Sequence, residues 1–591
     1  GKRFSQGISI FPVLDSPVHL AEQQDLDAIF GPVELSEENI KADEPGFCIP
    51  IGESTVVQGR PIRINPDLFF GKHVAVLGST GSGKSCTIAS LIQSLLEHPK
   101  VKRTTIVILD TNGEYHSAFQ RQKDDDSWEE AGHWKTLYIP SDPNQEADRL
   151  IIPYWFLNAE DFVRLFQASR GVQRPVLLEA LRLARNETEQ KSPLVLLREE
   201  LVYELNRIWS LSGKNEKTSK DVRDLARGLK KRIQEVDFMQ AMDELKEYYD
   251  ITKEDLGNAL DKVISKAEEY VSNDKFSQIL PADARKVIRD AIDPIYKKLT
   301  GKYLSEDVDL AGRSADVPCF FDKLRFRSFH LEQVLRREES GGARARDYCG
   351  TMLLRIDRLL ADKRFEFLFG PAGEGLSPAK HVLGAFLRDI LGIGSAESSP
   401  LSSTEDVPTK MFPFYDRQRR GANPVNVVVL DLSLLASEVL ENVTALIGRL
   451  ILEFLQRLGE YSGGEGRGSL PVVLVLEEAQ NYIQQSRSLE YESIARAVFE
   501  RIAREGRKYG LSLVVVSQRP SELSKTVLSQ CNSFIVHRLQ NPEDIRYFKE
   551  IVPGIYNTLL DQVPALAPQT ALVLGECIAA PALVRIRDAN P

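Results

Sequence analysis

Gly78-Ser79-Thr80-Gly81-Ser82-Gly83-Lys84-Ser85 limits the folds open to this chain more than any other stretch. An apolar, strand-like run at 73–77 leads into it, and a helical run from Cys86 to residue 96 leads out. The three glycines let the backbone wrap closely, so successive N–H groups converge on an anion at a helix N-terminus. A strand, a glycine-rich loop and a helix in that order belong at the edge of an α/β sheet. The loop and Cys86 then form a phosphate cradle. Lys84 reaches the β and γ phosphates of ATP, and the Ser85 hydroxyl is placed to ligate Mg²⁺.

The rest of the chain supplies such a sheet. Short β-branched runs at 105–109, 425–430, 472–476, 511–517 and 534–536 alternate with amphipathic helical runs. That alternation predicts a doubly wound α/β fold of the RecA-like P-loop class. Residues 67–184 and 351–570 read as the two parts of the core. Residues 185–350 lack strand signals and show helical spacing, as at Leu225, Leu229, Ile233 and Val236, which predicts a mainly helical insertion. Residues 1–66 are turn-rich, and alternation at 62–64 predicts a small antiparallel domain. Residues 571–591 read as a terminal hairpin and tail.

Other strand ends carry polar groups that suit nucleotide hydrolysis. The apolar run 472–476 ends in Glu477 and Glu478. A strand buried on both faces opens its C-terminal tip into the ligand crevice. Glu477 is therefore a candidate Mg²⁺ partner, and Glu478 a candidate general base for the attacking water. Asp110 ends the run 105–109. It stands either near Mg²⁺ with Glu114 or in a turn closed by Asn112 and Gly113. Gln518, after 511–517, is a candidate γ-phosphate sensor. Arg504 and Arg507 end a helical run. Cations suit a helix C-terminus, but either guanidinium also suits a finger supplied in trans to a neighbour's γ-phosphate.

Composition excludes several alternatives. Net charge is −10, so a surface basic all over is ruled out and any positive charge for nucleic acid must be local. Six scattered cysteines form no CxxC pair, which suits a reducing cytoplasm and not a disulfide framework or zinc site. No apolar run approaches the roughly 18 residues of a membrane helix, and no membrane partner is expected.

Taken in order, the 78–85 cradle, Asp-Thr-Asn-Gly-Glu-Tyr at 110–115 and Ile-Pro-Tyr-Trp at 152–155 resemble HerA, the hexameric DNA translocase ATPase of the HerA/FtsK group. Leu-Glu-Glu-Ala-Gln-Asn-Tyr at 476–482, Ala-Arg-Glu-Gly-Arg-Lys-Tyr-Gly at 503–510 and Val-Ser-Gln-Arg-Pro at 516–520 complete the series. The resemblance covers about residues 60–185 and 345–591. It implies a homohexameric ring with ATP and Mg²⁺ between subunits and sequence-independent DNA in the channel. It also implies an N-terminal β-barrel, of which residues 1–66 are the remainder. The implied partner is a nuclease or, in antiphage defence, an NAD-consuming or other effector. Two departures stand out: Gln480 replaces the usual His, and Lys72 stands where relatives often carry Arg. Segments 121–123 and 484–487 are candidate pore loops. A ring scaffold for an effector and a conjugation- or secretion-type ATPase are the alternative readings.

Overall fold

Five runs of the chain are apolar on both sides, and each forms a strand with every residue buried: Val74–Leu77, Thr105–Asp110, Val472–Leu476, Leu511–Ser517 and Ser533–His537. Such strands need cover on both faces, which a parallel sheet with crossover helices provides. The computed structural model describes residues 17, 19–31, 48–98, 101, 104–115, 118–122, 128–130, 134–138, 150–186, 193–213, 217–233, 239–272, 276–301, 303–304, 320–340, 344–370, 382–393, 425–461, 467–485 and 493–589. The chain forms two compact units, one of residues 1–152 and 378–591, the other of residues 153–377. The second is wider than the 185–350 insertion expected from the sequence.

The first unit is built on one eleven-stranded sheet. In chain order its strands are β1 (Ile49–Ser54), β2 (Pro61–Ile64), β3 (Val74–Leu77), β4 (Thr105–Asp110), β7 (Trp134–Tyr138), β10 (Val427–Asp431), β11 (Val472–Leu476), β12 (Leu511–Ser517), β13 (Ser533–His537), β14 (Thr570–Gly575) and β15 (Ala582–Ile586). A separate antiparallel pair, β5 (Gln120–Gln122) and β6 (Trp128–Glu130), precedes β7. Across the sheet the order is β2-β1-β15-β14-β13-β3-β12-β11-β4-β10-β7. Pairing is parallel from β13 through β7 and antiparallel from β13 to β2. The α/β class and the large, mostly parallel sheet agree with the alternation in the sequence.

The separate N-terminal domain does not appear in the described residues. Strand β1 pairs with β15 of the C-terminal hairpin β14–β15, and β2 pairs with β1, so both extend the same sheet. Ile49, Ile51, Ile62 and Ile64 share one apolar cluster with Val573, Val584 and Ile586. Residues 1–16 and 32–47 of the expected barrel lie outside the described residues. Arg60 ties the helix Gln23–Phe30 to this edge through Asp27 at 2.7 Å.

One face of the sheet is covered by the helix Lys84–Leu96. Its Ile88, Leu91, Ile92 and Leu95 meet Val74, Val76, Ile108, Val475 and Val516. The helix Ile494–Glu505 packs on β12 and on the helix Ser437–Tyr461, with Gly448 admitting Phe499 closely. Each fully buried aliphatic side chain here contributes roughly 1.5–3 kcal/mol.

The second unit is mainly helical. Leu201, Leu205 and Ile208 of the helix Pro193–Gly213 face Val222, Leu225 and Leu229 of the helix Ser219–Arg232 in one cluster. Leu256, Leu260 and Val263 of Lys253–Glu268 join them, as do Ile288, Ile292 and Leu299 of Ala282–Thr300. Polar faces carry exposed ion pairs such as Lys230–Asp261 at 2.6 Å. The only strands described in this unit are β8 (Val271–Ser272) and β9 (Phe276–Ser277). The Pro153–Trp155 stretch packs here as well. Tyr154 donates its hydroxyl hydrogen to the Phe321 carbonyl, and Arg185 lies over Phe162 and Phe321.

Candidate active site

Four adjacent strands, β3, β12, β11 and β4, end at one edge of the sheet and carry the site. Tight backbone approach shapes the loop after β3. A Cβ on Gly78 would lie 2.5 Å from Ser82 Oγ and 2.6 Å from His537 Cβ. Gly81 and Gly83 adopt φ of 71° and 102°, a region side-chain-bearing residues disfavour. The Gly78 N–H donates to the Ser517 carbonyl at 3.2 Å and the Ser79 N–H to the Arg538 carbonyl at 2.8 Å, fixing the loop to β12 and β13. Thr87 donates to the Gly83 carbonyl at 2.9 Å and shares a hydrogen bond with His537 Nε2 at 2.9 Å.

Lys84 is buried, and its ammonium turns back across the loop to within 3.5 Å of the Ser79 carbonyl. The Ser85 hydroxyl points at two carboxylates: it hydrogen-bonds Glu114 and lies 3.5 Å from Glu477 Oε1. Cys86 follows on the helix and is exposed. Of the metal candidates, Ser85 and Glu477 are thus brought together. Asp110 is not. Its Oδ1 accepts the N–H groups of Asn112, Gly113 and Glu114 at 3.2, 2.8 and 3.2 Å, and Oδ2 accepts that of Tyr115 at 2.9 Å. It is wholly buried beneath the turn, which is the second of the two roles read for it.

Glu477 follows β11 and is buried beside Ser85, Tyr115 and Glu478. Tyr115 donates to its Oε2 at 3.0 Å, while the Tyr482 and Thr111 hydroxyls donate to its carbonyl at 3.2 and 3.4 Å. Burial, and then the adjacent Glu478, push its carboxyl up to about 8. A cation beside it reverses that pressure. Among the described residues no three His, Cys, Asp or Glu side chains gather into a metal cluster. The donors here are a hydroxyl and carboxylates, hard oxygens that fit Mg²⁺, an ion that keeps several of its waters. Ser85 and Glu477 are the residues that would hold it, with Glu114 beside them.

Glu478 adopts a left-handed backbone, φ 44° and ψ 48°. For a residue other than glycine that costs on the order of 1 kcal/mol, and such strain gathers at functional sites. Gln518 Nε2 donates to its Oε1 at 2.8 Å, and Gln480 Nε2 donates to its Oε2. Gln518 in turn accepts the Thr80 hydroxyl from the phosphate loop. Lys84, Ser85, Glu477, Glu478 and Gln518 therefore meet at one edge.

The arginine cluster is resolved into distinct partners. The helix Ile494–Glu505 is capped by Ser493 and runs into a 3-10 turn, Gly506–Tyr509, that ends where Gly510 turns left-handed. Arg504 lies 3.7 Å from Glu500, a carboxylate also held by Arg496 at 2.7 Å. Exposed Arg507 meets the neutral amide of Asn532 at 3.3 Å. Lys72 pairs with Glu576 of the β14–β15 turn. Of the candidate pore loops, residues 123 and 486–487 lie outside the described residues.

Sequence reasoning gave no role to Tyr115, Thr87 and His537, and noted Gln480 only as a departure. Tyr115 closes the Asp-Thr-Asn-Gly-Glu-Tyr motif, and Gln480 stands two residues after Glu478, so both were signalled by position alone. The Thr87–His537 pair spans 450 residues and has no local signal.

Residues 49–293 match the family model described as the central domain of the helicase HerA, which is under half of the chain. The DNA double-strand break repair helicase HerA of Pyrococcus furiosus is 40% identical over 116 residues, 20% of this chain and 20% of the relative. A probable helicase of Methanocaldococcus jannaschii is 30% identical over 170 residues, 28% of this chain and 32% of the relative. The matches thus span between a fifth and a third of these relatives' lengths. Among solved structures, VirB4 of Thermoanaerobacter pseudethanolicus aligns over 93% of this chain and 98% of its own, at 13% identity and a TM-score of 0.38. Among the described residues no helix is long and apolar enough to cross a membrane.

Proposed function

We propose that this protein is an ATP-driven motor of the RecA-like class that moves DNA through a homohexameric ring, as a translocase or helicase serving a nuclease or other effector. The observation that carries the reading is the convergence of Lys84, Ser85, Glu477, Glu478 and Gln518. They lie up to 434 residues apart, yet meet at one sheet edge, and that supports a role in phosphoryl transfer. The match of residues 49–293 to a helicase domain supports DNA as the other ligand.

Lys84 neutralises the β and γ phosphates while the loop amides hold them. Mg²⁺, when bound at Ser85 and Glu477, supplies charge neutralisation on the transferring group. Glu478 orients the attacking water and takes its proton. Arg507 is the better of the two finger candidates, because Arg504 is already paired with Glu500 while Arg507 hydrogen-bonds the neutral amide of Asn532 and acts on Glu576 only through space. A guanidinium reaching a neighbour's γ-phosphate need not first break a strong ion pair.

The test is ATP turnover by the assembled protein with and without duplexes of unrelated sequence, across a salt series. Turnover stimulated by DNA, with affinity falling steeply as salt rises and varying little with sequence, is expected. ATP hydrolysis with no DNA binding under any nucleotide condition removes the motor and leaves the scaffold. Absence of hydrolysis likewise removes the motor.

A further inference from the structure

The buried side chains around Glu478 form a chain of hydrogen bonds whose direction is set by the Glu478 carboxylate, which can only accept. Gln480 therefore presents Nε2 to Glu478 Oε2. That turns its Oε1 to Ser517, whose hydroxyl donates at 2.7 Å while its oxygen accepts the Arg519 N–H at 3.0 Å. On the other side the Thr80 hydroxyl donates to Gln518 Oε1, which leaves Gln518 Nε2 for Glu478 Oε1 at 2.8 Å.

The two arms differ in what they are rooted in. Ser517 ends β12 and is 0% exposed, and Gln480 and Glu478 are each 5% exposed. That arm meets the phosphate loop through the backbone, where the Ser517 carbonyl accepts the Gly78 N–H at 3.2 Å, and not through a side chain. The other arm ends on Thr80, an exposed residue of the loop itself, through a partly buried Gln518. A left-handed backbone at Glu478 aims its side chain in a way the strand before it does not dictate, so the aim must be held by such partners.

We propose that Gln480, oriented by Ser517, is the positioning residue that aims the Glu478 carboxylate, and that the Gln518–Thr80 arm is the half of the grip that yields when nucleotide fills the cradle. The inference rests on the ATPase reading above. With the loop closed on phosphate, Thr80 leaves Gln518, and Glu478 Oε1 exchanges the amide for a water. That water's O–H bond breaks, its proton passes to Oε1, its oxygen bonds the γ-phosphorus, and the bond from that phosphorus to the β–γ bridging oxygen breaks. Throughout, Gln480 keeps Oε2 in place. Loss of Gln480 therefore misaims the base without altering the phosphate cradle.

The experiment is steady-state ATP hydrolysis by the assembled full chain, with nucleotide affinity measured separately by a fluorescent ATP analogue. Gln480→Leu is expected to lower kcat by about tenfold or more while KM and analogue affinity stay within about threefold. Gln480→His keeps a donor and an acceptor and is expected to recover most of kcat. Ser517→Ala, which frees the amide to turn over, is expected to fall between. Gln480→Leu with kcat within about twofold of wild type overturns the proposal. So does a parallel loss of kcat, analogue affinity and melting temperature that Gln480→His fails to rescue, because that is the mark of a merely structural residue. If Gln480→Leu does not fold, Ser517→Ala at the wild-type kcat overturns it. A wild-type protein that binds the analogue without hydrolysing ATP fails one step earlier, at the ATPase reading, and takes this inference with it.

Discussion

Two buried histidines flank the phosphate-loop region and should make the protein sensitive to acid in a defined window. His73 precedes β3 and accepts the Leu513 N–H on Nδ1 at 3.0 Å, while His537 ends β13 against Thr87. Burial first, and then Arg507, holds His73 down from 6.5 to about 4. Burial first, and then Lys84, does the same for His537. Between those pH values the unfolded chain binds protons that the folded one refuses, so stability is lost as pH falls from 6.5 toward 4. At ~1.36 kcal/mol per pH unit, the fall from pH 7 to pH 5 removes roughly 2 kcal/mol per histidine, about 4 kcal/mol together.

Glu477 works in the opposite sense. Its folded value of about 8 lies above its ordinary 4.5, so falling pH stabilises the fold over that window, by roughly 2.5 kcal/mol between pH 7 and 5. The wild-type curve alone therefore mixes opposing contributions, and the comparison with a His73→Asn/His537→Gln double variant isolates the histidines. Urea unfolding of the nucleotide-free, metal-free full chain, followed by fluorescence at pH 7, 6 and 5, measures it. The wild type should lose about 4 kcal/mol more than the variant across that range. Parallel curves for the two proteins refute the reasoning.

Lys84→Ala should abolish productive ATP binding, and Glu478→Gln should bind ATP yet lose about 100-fold or more in turnover; phosphate release and nucleotide retention on the protein check both. Arg507→Ala should lower turnover by about a thousandfold in a ring of wild-type assembly state, and Arg504→Ala by far less; equal turnover in both variants removes the finger. Gly78→Ala presses a methyl group against Ser82 Oγ and the buried His537. Ser82 can rotate but the strand residue cannot yield, so a loss of roughly 1–3 kcal/mol in stability, read by urea unfolding, is expected together with weaker ATP binding.

What the sequence determined by itself is local. The 78–85 loop, the all-apolar runs that became β3, β4, β11, β12 and β13, and the acid pair after β11 were legible because each is a contiguous pattern with its own periodicity. Helical spacing in the second unit was legible for the same reason. Pairing was not. Strand β10 sits between β4 and β7, although the chain from β7 to β10 includes the whole of the second unit. Strands β1 and β2 were expected in their own domain, yet they complete the sheet through a hairpin more than 500 residues away. Apolar alternation says that a strand is buried and not against which neighbour, because register and order follow from packing across the whole sheet.

The site divides along the same line. Residue types and strand ends named Lys84, Ser85, Glu477 and Glu478. Tertiary structure alone decided that Asp110 is consumed by four backbone amides while Glu114 meets Ser85. It alone placed Gln480 between Ser517 and Glu478. A buried carboxylate or amide must satisfy its hydrogen bonds with whatever the fold brings within about 3 Å, and sequence spacing does not record that neighbourhood.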